Sequence, residues 1–325
     1  MLQADDIITL AGGRYRLRAP LGGSAYGVVW EASAPAGMPN VAIKLVNRDQ
    51  MHRAHLSLQG RWITSAETEM AFLRSLAPWD ERHIVRLLDS GMHQGLPVMA
   101  LELMEGDLGR FITAQRAAAC MPPFASVLRW IGQLNQALSK VHQYGWSYLD
   151  LKPANVLMSA QQGVKLADFG TSRLRTALPA ASYAGTASWQ APEQFFPTPD
   201  HTYASDERSD FFALGAMFFY LATGGQMLRF CNACARAYRD DPRGAAAALL
   251  ARHDGCMPST LSGDEAEVFY KQIACEGGAA AARQALGLLQ SLLAPDPEAR
   301  PQHAMQVSRS LAAIEPLPAR AWSMA

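Results

Sequence analysis

YLDLKPANVL at residues 148–157, followed by DFG at residues 168–170, is the stretch from which the fold and the chemistry of this chain can be read. It places the carboxylates of Asp150 and Asp168, the carboxamide of Asn155 and the ammonium group of Lys152 at short spacing. Pro153 stiffens the segment between them, because its ring fixes the backbone φ angle. The combination indicates a site for charged ligands.

The residues around these groups predict a hairpin. Residues 156–158 and 164–166 are strand-like runs, and Gly163 marks the turn between them. Such a hairpin would bring Asn155 and Asp168 to the same end, where their oxygens could bind Mg²⁺ together with a substrate phosphate. Asp150 could then accept a proton from an incoming hydroxyl. The stretch alone therefore predicts metal-assisted phosphoryl transfer.

This stretch resembles the catalytic loop and the metal-binding Asp-Phe-Gly of the protein kinase family. The resemblance implies an α+β, bilobal fold, with a small antiparallel β-sheet N-lobe that carries one long helix and a larger, mainly helical C-lobe. The implied organisation is an N-terminal arm (1–13), the N-lobe (14–104), the C-lobe (105–314, with a divergent insertion at 225–290) and a short tail (315–325).

Composition sets outer limits on the function. The chain has 325 residues, of which 49% are hydrophobic and 18% charged, so a large core is expected and global disorder is not. A formal net charge of 0 gives no electrostatic reason to expect a nucleic-acid partner. Five cysteines, an odd number, do not suggest a disulfide framework.

No segment predicts export or a membrane span. The first residues are acidic and lack the apolar core of a signal peptide. The most apolar run, residues 211–223, is too short to cross a bilayer and predicts a buried helix. We therefore expect a cytoplasmic protein, with secretion as an effector as the alternative, because some export signals do not resemble signal peptides.

Glycines at 22 and 27 separate two strand-like segments, which suits a hairpin whose backbone approaches phosphates closely. The segment resembles the kinase glycine-rich loop, with Ser24 in the place of the second glycine. On its own it favours a plain glycine-rich hairpin. Lys44, in the run VAIK at 41–44, would likewise be an ordinary edge-strand lysine if the motif stood alone.

In the kinase resemblance, Lys44 binds the nucleotide phosphates and pairs with a glutamate of the next helix. The sequence TSAE at 64–67 has the form of a capping box, so the helix is predicted to start there, after an irregular segment at 48–62. Glu67 would serve the cap and Glu69 would pair with Lys44.

The resemblance assigns further residues to ATP, Mg²⁺ and catalysis. It implies catalytic roles for Asp150, Lys152, Lys44 and Glu69. It implies that Asn155 and Asp168 bind Mg²⁺, with Mn²⁺ as an alternative. The implied ATP contacts are Leu21, Gly22, Gly23, Ser24, Gly27, Val29, Ala42, Lys44, Leu101, Glu102, Met104 and Leu157.

Helical periodicity predicts a long amphipathic helix at 124–144, and Asp107 is predicted to cap the helix before it. Asp210 is predicted to open the apolar helix at 211–221. In the resemblance it also accepts backbone hydrogen bonds from the catalytic loop. Residues 225–290 are alanine-rich, with breaks expected at 243–244 and 277–278.

The segment GTASWQAPE at 185–193 resembles the substrate-docking loop and Ala-Pro-Glu of kinases. The resemblance brings Thr186 to Asp150 and Lys152, and it pairs Glu193 with Arg300, more than a hundred residues later in the chain. Both halves of that buried ion pair are present.

Cys231, Cys234, His253 and Cys256 offer three sulfurs and an imidazole that could hold a structural Zn²⁺. The more favoured interpretation is that the two closely spaced cysteines are small core residues one helical turn apart.

Two departures from the kinase pattern stand out. Tyr148 takes the place of the usual histidine, and we expect it to pack in a column with Leu73, Leu87 and Phe169. Leu149 takes the place of the arginine that holds a phosphorylated activation segment. A leucine cannot bind a phosphate, so we expect the protein to need no activation-segment phosphate.

The resulting prediction is a Ser/Thr protein kinase similar to the bacterial eukaryotic-like (Hanks-type) kinases. It is expected to autophosphorylate, to act on protein substrates with ATP, and to have neither a nucleic-acid partner nor a membrane span. The lysine two residues beyond Asp150 resembles the pattern of Ser/Thr kinases rather than that of Tyr kinases. The alternatives are a small-molecule phosphotransferase of related fold and a pseudokinase scaffold.

Overall fold

The computed structural model of the chain describes residues 2–35, 37–159, 161, 163–177 and 185–314. They fall into two units, Met1–Gly106 with Leu157–Arg173, and Asp107–Val156 with Leu174–Ala325. The expected tail at 315–325 and the residues 178–184 lie outside the described part. Residues 157–173, which were expected to belong with the later half, cluster with the first unit.

The first unit is built on a six-stranded antiparallel sheet in the order β1-β2-β3-β4-β6-β5. Alternating apolar residues on one face of these strands form its core, which includes Leu17, Ile43 and Ala100. The strands are β1 (Ile7–Leu10), β2 (Gly13–Gly23), β3 (Gly27–Ser33), β4 (Val41–Val46), β5 (Leu87–His93) and β6 (Leu96–Glu102).

Residues 7–10, which belong to the expected N-terminal arm, form strand β1. They pair with β2 in antiparallel register, Ile8 opposite Tyr15. Ile8 and Leu10 are buried while Ile7 and Thr9 are exposed, which is the period-2 pattern of a half-buried strand. That pattern is only four residues long, so it was hard to recognise in the sequence.

The segment at 48–62 is helical rather than irregular. A short helix α1 (Arg48–Arg53) is followed by α2 (Leu56–Ser75), which packs on β4, β5 and β6. The predicted helix start at Thr64 is therefore wrong: the His55 ring accepts a hydrogen bond from the Ser57 N–H and caps the true start. The capping-box pattern lies in the middle of the helix, where it has no orphan N–H to satisfy.

Short strands occupy the middle of the chain. They are β7 (Gly106–Asp107), β8 (Trp146–Ser147), β9 (Val156–Met158), β10 (Val164–Leu166) and β11 (Arg173–Leu174). The predicted hairpin of 156–158 and 164–166 is confirmed, since β9 and β10 are neighbours in one sheet.

The second unit is mainly helical, which confirms the α+β class. Asp107 caps its first helix as predicted, and the long helix predicted at 124–144 is present. The helices are α3 (Leu108–Ala117), α4 (Phe124–Gln143), α5 (Pro192–Phe195), α6 (Glu207–Ala222), α7 (Arg229–Asp240), α8 (Ala245–Ala251), α9 (Gly263–Leu292) and α10 (Ala304–Ala313).

Helix α6 is the centre of this unit. It is buried on nearly all sides and packs against α4 and α9. Gly215 lets α6 and α9 approach, because a Cβ at this position would lie 2.8 Å from the Leu292 Cβ. The helix starts at Glu207 with Asp206 as its cap, so the prediction that Asp210 opens it is wrong. Asp210 lies in the first turn.

Residues 225–290 form three helices, as expected of their alanine-rich composition. Gly244 precedes α8 directly, at the first predicted break. The second predicted break is a kink inside α9, where Gly278 has a φ of 83°. Within the residues that the structure describes, no helix has the length and apolarity needed to cross a membrane.

A buried ion pair joins Glu193, in α5, to Arg300. The Arg300 guanidinium donates to the two carboxylate oxygens over 2.7 and 2.8 Å, and also to three backbone carbonyls. Arg300 is 2% exposed. The predicted pairing is confirmed, and the planar fork of the guanidinium explains why an arginine is suited to this place.

Replacing Arg300 with alanine is expected to lower the free energy of unfolding by about 3–5 kcal/mol, because it leaves the Glu193 carboxylate buried without its cation. Urea unfolding of the variant measures this loss. The matched control is Arg309→Ala on the exposed face of α10, which should change stability by at most about 0.5 kcal/mol. Equal stability of the two variants would contradict the assigned role of the pair.

Candidate functional site

A compact ionic cluster lies in the first unit. Lys44, on β4, places its Nζ 2.6 Å from a carboxylate oxygen of Glu69, on α2, and 2.8 Å from one of Asp168, which follows β10. The structure thus brings together three of the residues that the sequence singled out, and it selects Glu69 rather than Glu67 as the partner of Lys44.

Burial and charge act in opposite directions on this cluster. Burial alone would lower the pKa of Lys44, but the carboxylates of Asp168 and Glu69 outweigh it and raise that pKa above its usual range. Burial raises the pKa of Glu69. The Lys44 ammonium group and the Phe169 backbone lower this pKa by less, so the net shift is upward. Lys44 is therefore held as an ammonium ion by the two carboxylates.

The residues after Asp168 pack tightly on α2. The Phe169 ring stacks on Phe72, with centroids 4.4 Å apart. A Cβ on Gly170 would lie 2.2 Å from the Ser65 Oγ, so only glycine fits there without a shift. Asp168 has a φ of 60°, in the left-handed region that non-glycine residues rarely adopt. The sequence did not single out Phe72, although its helical spacing from Glu69 places it on the same face.

The glycine-rich segment forms the predicted hairpin between β2 and β3. Gly22 and Gly23 lie opposite Val29 and Val28 at its base. Ser24 donates its N–H to the Gly27 carbonyl over 2.7 Å and closes the turn. Its hydroxyl oxygen accepts from the Tyr26 and Gly27 N–H groups, which glycine could not offer.

The residues predicted to contact adenine all belong to the first unit. Val29 and Ala42 lie on the adjacent strands β3 and β4, and Leu101 is buried on β6. Glu102 is fixed by Lys165, whose Nζ lies 2.5 Å from its carboxylate, and by the Arg86 N–H at 2.8 Å. Leu21, Met104 and Leu157 are exposed or half-buried.

A second cluster, in the second unit, centres on the carboxylate of Asp150, which is largely buried. One of its oxygens is 2.7 Å from the Lys152 Nζ, and the other accepts from the Thr186 hydroxyl at 2.7 Å. Lys152 also donates to the Thr186 hydroxyl oxygen over 2.8 Å. The predicted contacts of Thr186 with Asp150 and Lys152 are confirmed.

Asn155 is oriented by the same cluster. Its Nδ2 donates to the backbone oxygen and to a carboxylate oxygen of Asp150, both over 3.0 Å. With the NH₂ group fixed in this way, the carboxamide oxygen is the atom that Asn155 offers to a ligand.

The backbone that carries Asp150 is held by Asp210, whose side chain is fully buried. The two carboxylate oxygens accept from the Tyr148 N–H at 2.8 Å and the Leu149 N–H at 2.7 Å, as the resemblance implied. His142 adds a third bond of 2.9 Å. Leu149 has a φ of 68°, so this strained backbone needs such support.

Gln194 was not foreseen. Its Nε2 donates to the Leu149 carbonyl over 3.1 Å, while its Oε1 accepts from the Ala191 N–H. Its side chain thus links α5 to the residue before Asp150. Its place directly after the segment 185–193 was the only signal for it in the sequence, because the contact depends on long-range folding.

The structure gives no support to a zinc site at the cysteines. Cys231 and Cys234 are buried on α7, whereas Cys256 is exposed. Burial raises the pKa of the Cys231 thiol to about 12 and also raises that of Cys234. Among the described residues no group of three or more His, Cys, Asp or Glu side chains could hold a metal ion.

Comparison with known proteins relates this chain to kinases. The family model for the protein kinase domain matches residues 15–311. A serine/threonine-protein kinase, PknL of Mycobacterium tuberculosis, is 32% identical over 180 residues, which cover 53% of this chain and 43% of that protein. Cyclin-dependent kinase F-4 of Oryza sativa subsp. japonica is 26% identical over 305 residues, covering 90% of this chain and 60% of that protein. The chain thus spans less than two thirds of these relatives.

Replacing Asp210 with alanine is expected to loosen the backbone before Asp150, because it leaves two buried N–H groups without an acceptor. Each should cost about 1–3 kcal/mol of unfolding free energy. Urea unfolding measures the total, and faster hydrogen exchange of the Leu149 amide locates it. Asp200→Ala, at an exposed position, is the control. Unchanged exchange at Leu149 would show that other contacts hold this backbone.

Proposed function

Because the chain belongs to the protein kinase family, we propose that it transfers the γ-phosphoryl group of ATP to serine and threonine hydroxyls of proteins. The observation that carries the proposal is the network of Asp150, Lys152 and Thr186. A lysine two residues after the central aspartate, bridged to a threonine hydroxyl, is the pattern expected of a Ser/Thr kinase. The relative from Mycobacterium tuberculosis carries that name as well.

The donor atoms fit Mg²⁺, which prefers hard oxygen ligands and keeps several waters. Asp168 offers a partly exposed carboxylate in a strained backbone conformation. Asn155 offers its carboxamide oxygen, because its NH₂ group is committed to Asp150. We assign these two residues to the metal, with Mn²⁺ as an alternative. When bound, the ion neutralises charge on the phosphates.

Lys44 and Glu69 are assigned to the nucleotide. The ammonium group of Lys44 binds phosphate oxygens, and Glu69 fixes its direction through their 2.6 Å contact. The glycine-rich hairpin supplies backbone N–H groups. Adenine is assigned to the apolar residues at Leu21, Val29, Ala42, Leu101 and Leu157 and to the backbone of Glu102 and Met104.

Asp150 is assigned to the acceptor hydroxyl, which it orients and whose proton it accepts. Lys152 neutralises the transferred phosphoryl group, and Thr186 fixes both side chains through its hydroxyl. Phosphoryl transfer demands positioning and charge neutralisation more than covalent chemistry. The dense hydrogen bonding of this cluster serves such positioning.

Two observations disfavour the alternatives. The Glu193–Arg300 pair anchors the segment at 185–193, which small-molecule phosphotransferases of related fold are expected to lack. A pseudokinase scaffold is disfavoured because Lys44, Asp150, Asn155 and Asp168 are all present and none of them is left exposed without contacts.

Incubation with labelled ATP and Mg²⁺ should place phosphate on the protein itself and on myelin basic protein, a generic acceptor. Acid hydrolysis should release phosphoserine or phosphothreonine. Asp150→Ala and Asp168→Asn should each abolish incorporation, since one loses the hydroxyl acceptor and the other a metal ligand. Asp200→Ala should match the wild type. ATP binding without transfer by the wild type would favour a scaffold or a small-molecule acceptor.

The proposal extends to activation. Leu149 is 4% exposed and cannot bind a phosphate, while Thr186 and Gln194 anchor the segment after 185 without one. Catalytic competence is therefore independent of activation-segment phosphorylation. Of the three candidate acceptors, Thr171 is partly buried, Thr176 is exposed and Ser182 lies outside the described residues.

The triple variant Thr171→Ala, Thr176→Ala and Ser182→Ala should retain most of its activity toward an added peptide. Steady-state rates of the wild type, treated or untreated with a phosphatase, give the same comparison without mutation. A collapse of activity in the variant and in the dephosphorylated wild type together would show that a phosphate is required.

A further inference from the structure

The tip of the glycine-rich hairpin, residues 24–27, is anchored through all four of its carbonyl groups. Asn47, directly after β4, supplies two of the donors. Its Nδ2 donates to the Ser24 carbonyl and its backbone N–H to the Tyr26 carbonyl, both over 2.9 Å. The Gly27 carbonyl accepts from the Ser24 N–H within the turn itself.

The fourth carbonyl is bound by Trp62, in the second turn of α2. Its indole Nε1 donates to the Ala25 oxygen over 2.7 Å. The indole also lies against the Tyr26 ring, with centroids 5.0 Å apart and planes tilted by 49°. Trp62 therefore holds the tip by a hydrogen bond and by an aromatic contact at once.

Anchoring the carbonyls directs the N–H groups. In a trans peptide the C=O and the following N–H point in opposite directions. The Ala25 carbonyl faces Trp62, so the Tyr26 N–H points away from α2. It donates, together with the Gly27 N–H, to the Ser24 hydroxyl oxygen over 3.3 and 3.1 Å. A phosphate oxygen is a stronger acceptor for the same two N–H groups.

Trp62 also connects the tip to the ionic cluster. It lies seven residues, two helical turns, before Glu69, so the two side chains share one face of α2. A cavity of about 20 Å³ is lined by both of them, together with Tyr26, Lys44 and Asp168. The helix that orients Lys44 thus also positions the hairpin tip.

We propose that Trp62 is a positioning residue for the phosphates of the nucleotide. It holds the hairpin tip so that the Tyr26 and Gly27 N–H groups face the phosphates before ATP binds, which saves the cost of ordering the loop on binding. The inference rests on the proposed function, since it presumes ATP as the ligand. Neither the indole nor Asn47 belongs to the glycine-rich motif.

Trp62→Phe keeps an aromatic ring and removes the indole N–H. Losing one hydrogen bond should weaken ADP binding by about threefold to tenfold. Adenosine has no phosphate, so its affinity should not change. The KM for ATP should rise with the ADP effect while kcat stays the same, because the contact serves binding. Calorimetry with ADP and adenosine, and steady-state kinetics, give these values.

Two variants make the test robust. Asn47→Ser removes the donor to the Ser24 carbonyl but keeps a side chain that can cap α1, so it should show the same selective loss of ADP affinity. Trp79→Phe, at a tryptophan that is 81% exposed, is the control and should match the wild type. Thermal melting confirms that each variant is folded.

Unchanged or tighter ADP binding by a folded Trp62→Phe variant would overturn the inference, and so would an equal loss of adenosine affinity, which would indicate a general packing role. A wild type that binds neither ADP nor adenosine would instead overturn the proposed function. These results are distinguishable, because the second concerns the wild type alone.

Discussion

The carboxylate of Asp210 imposes the constraint on which the second unit depends. It accepts the N–H groups of two successive residues, Tyr148 and Leu149, from a fully buried position. Leu149 has a left-handed φ, which costs a non-glycine residue about 1–3 kcal/mol and persists only where the surroundings fix it. Gln194 fixes the same residue from its carbonyl side. Hydrogen bonds thus fix both the N–H and the carbonyl of the strained Leu149. The backbone direction at the next residue, Asp150, is defined as a result.

In the first unit a helix has the corresponding role. Along α2, Ser65 packs closely against Gly170, Glu69 pairs with Lys44 and Phe72 stacks on Phe169. These residues follow the i, i+4, i+7 spacing of a single helix face. Because one rigid element makes all three contacts, a rotation or shift of α2 would disturb them together. The arrangement of the Asp168 segment is therefore coupled to the position of the helix.

The sequence predicted the chemical groups of both clusters better than it predicted the elements that carry them. Asp150, Lys152 and Asn155 are close in sequence, so their spacing alone constrains their geometry. The Glu193–Arg300 pair followed from a resemblance that names both partners. The start of α2 was misplaced, because a capping-box pattern also occurs inside helices and the His55 cap has no such signature. Strand β1 was missed because four residues carry too little periodicity.

Gln194 and Trp62 could not be predicted for a different reason. Each acts through a hydrogen bond to a backbone carbonyl, Gln194 at Leu149 and Trp62 at Ala25. Every residue has a backbone carbonyl, so the sequence does not mark which one is bound. Side chains that recognise backbone leave no complementary partner residue to search for. Such contacts support the site without belonging to its motifs, and they emerge only when the chain is folded.

Leu149 shows how a local substitution changes what the surrounding structure must supply. An arginine in this buried place would need a phosphate or a carboxylate, since an unpaired buried charge is costly. A leucine needs only apolar neighbours. The segment that begins at Gly185 is then held by Thr186, Gln194 and the Glu193–Arg300 pair, which are permanent parts of the chain. These contacts hold the segment in the unmodified chain.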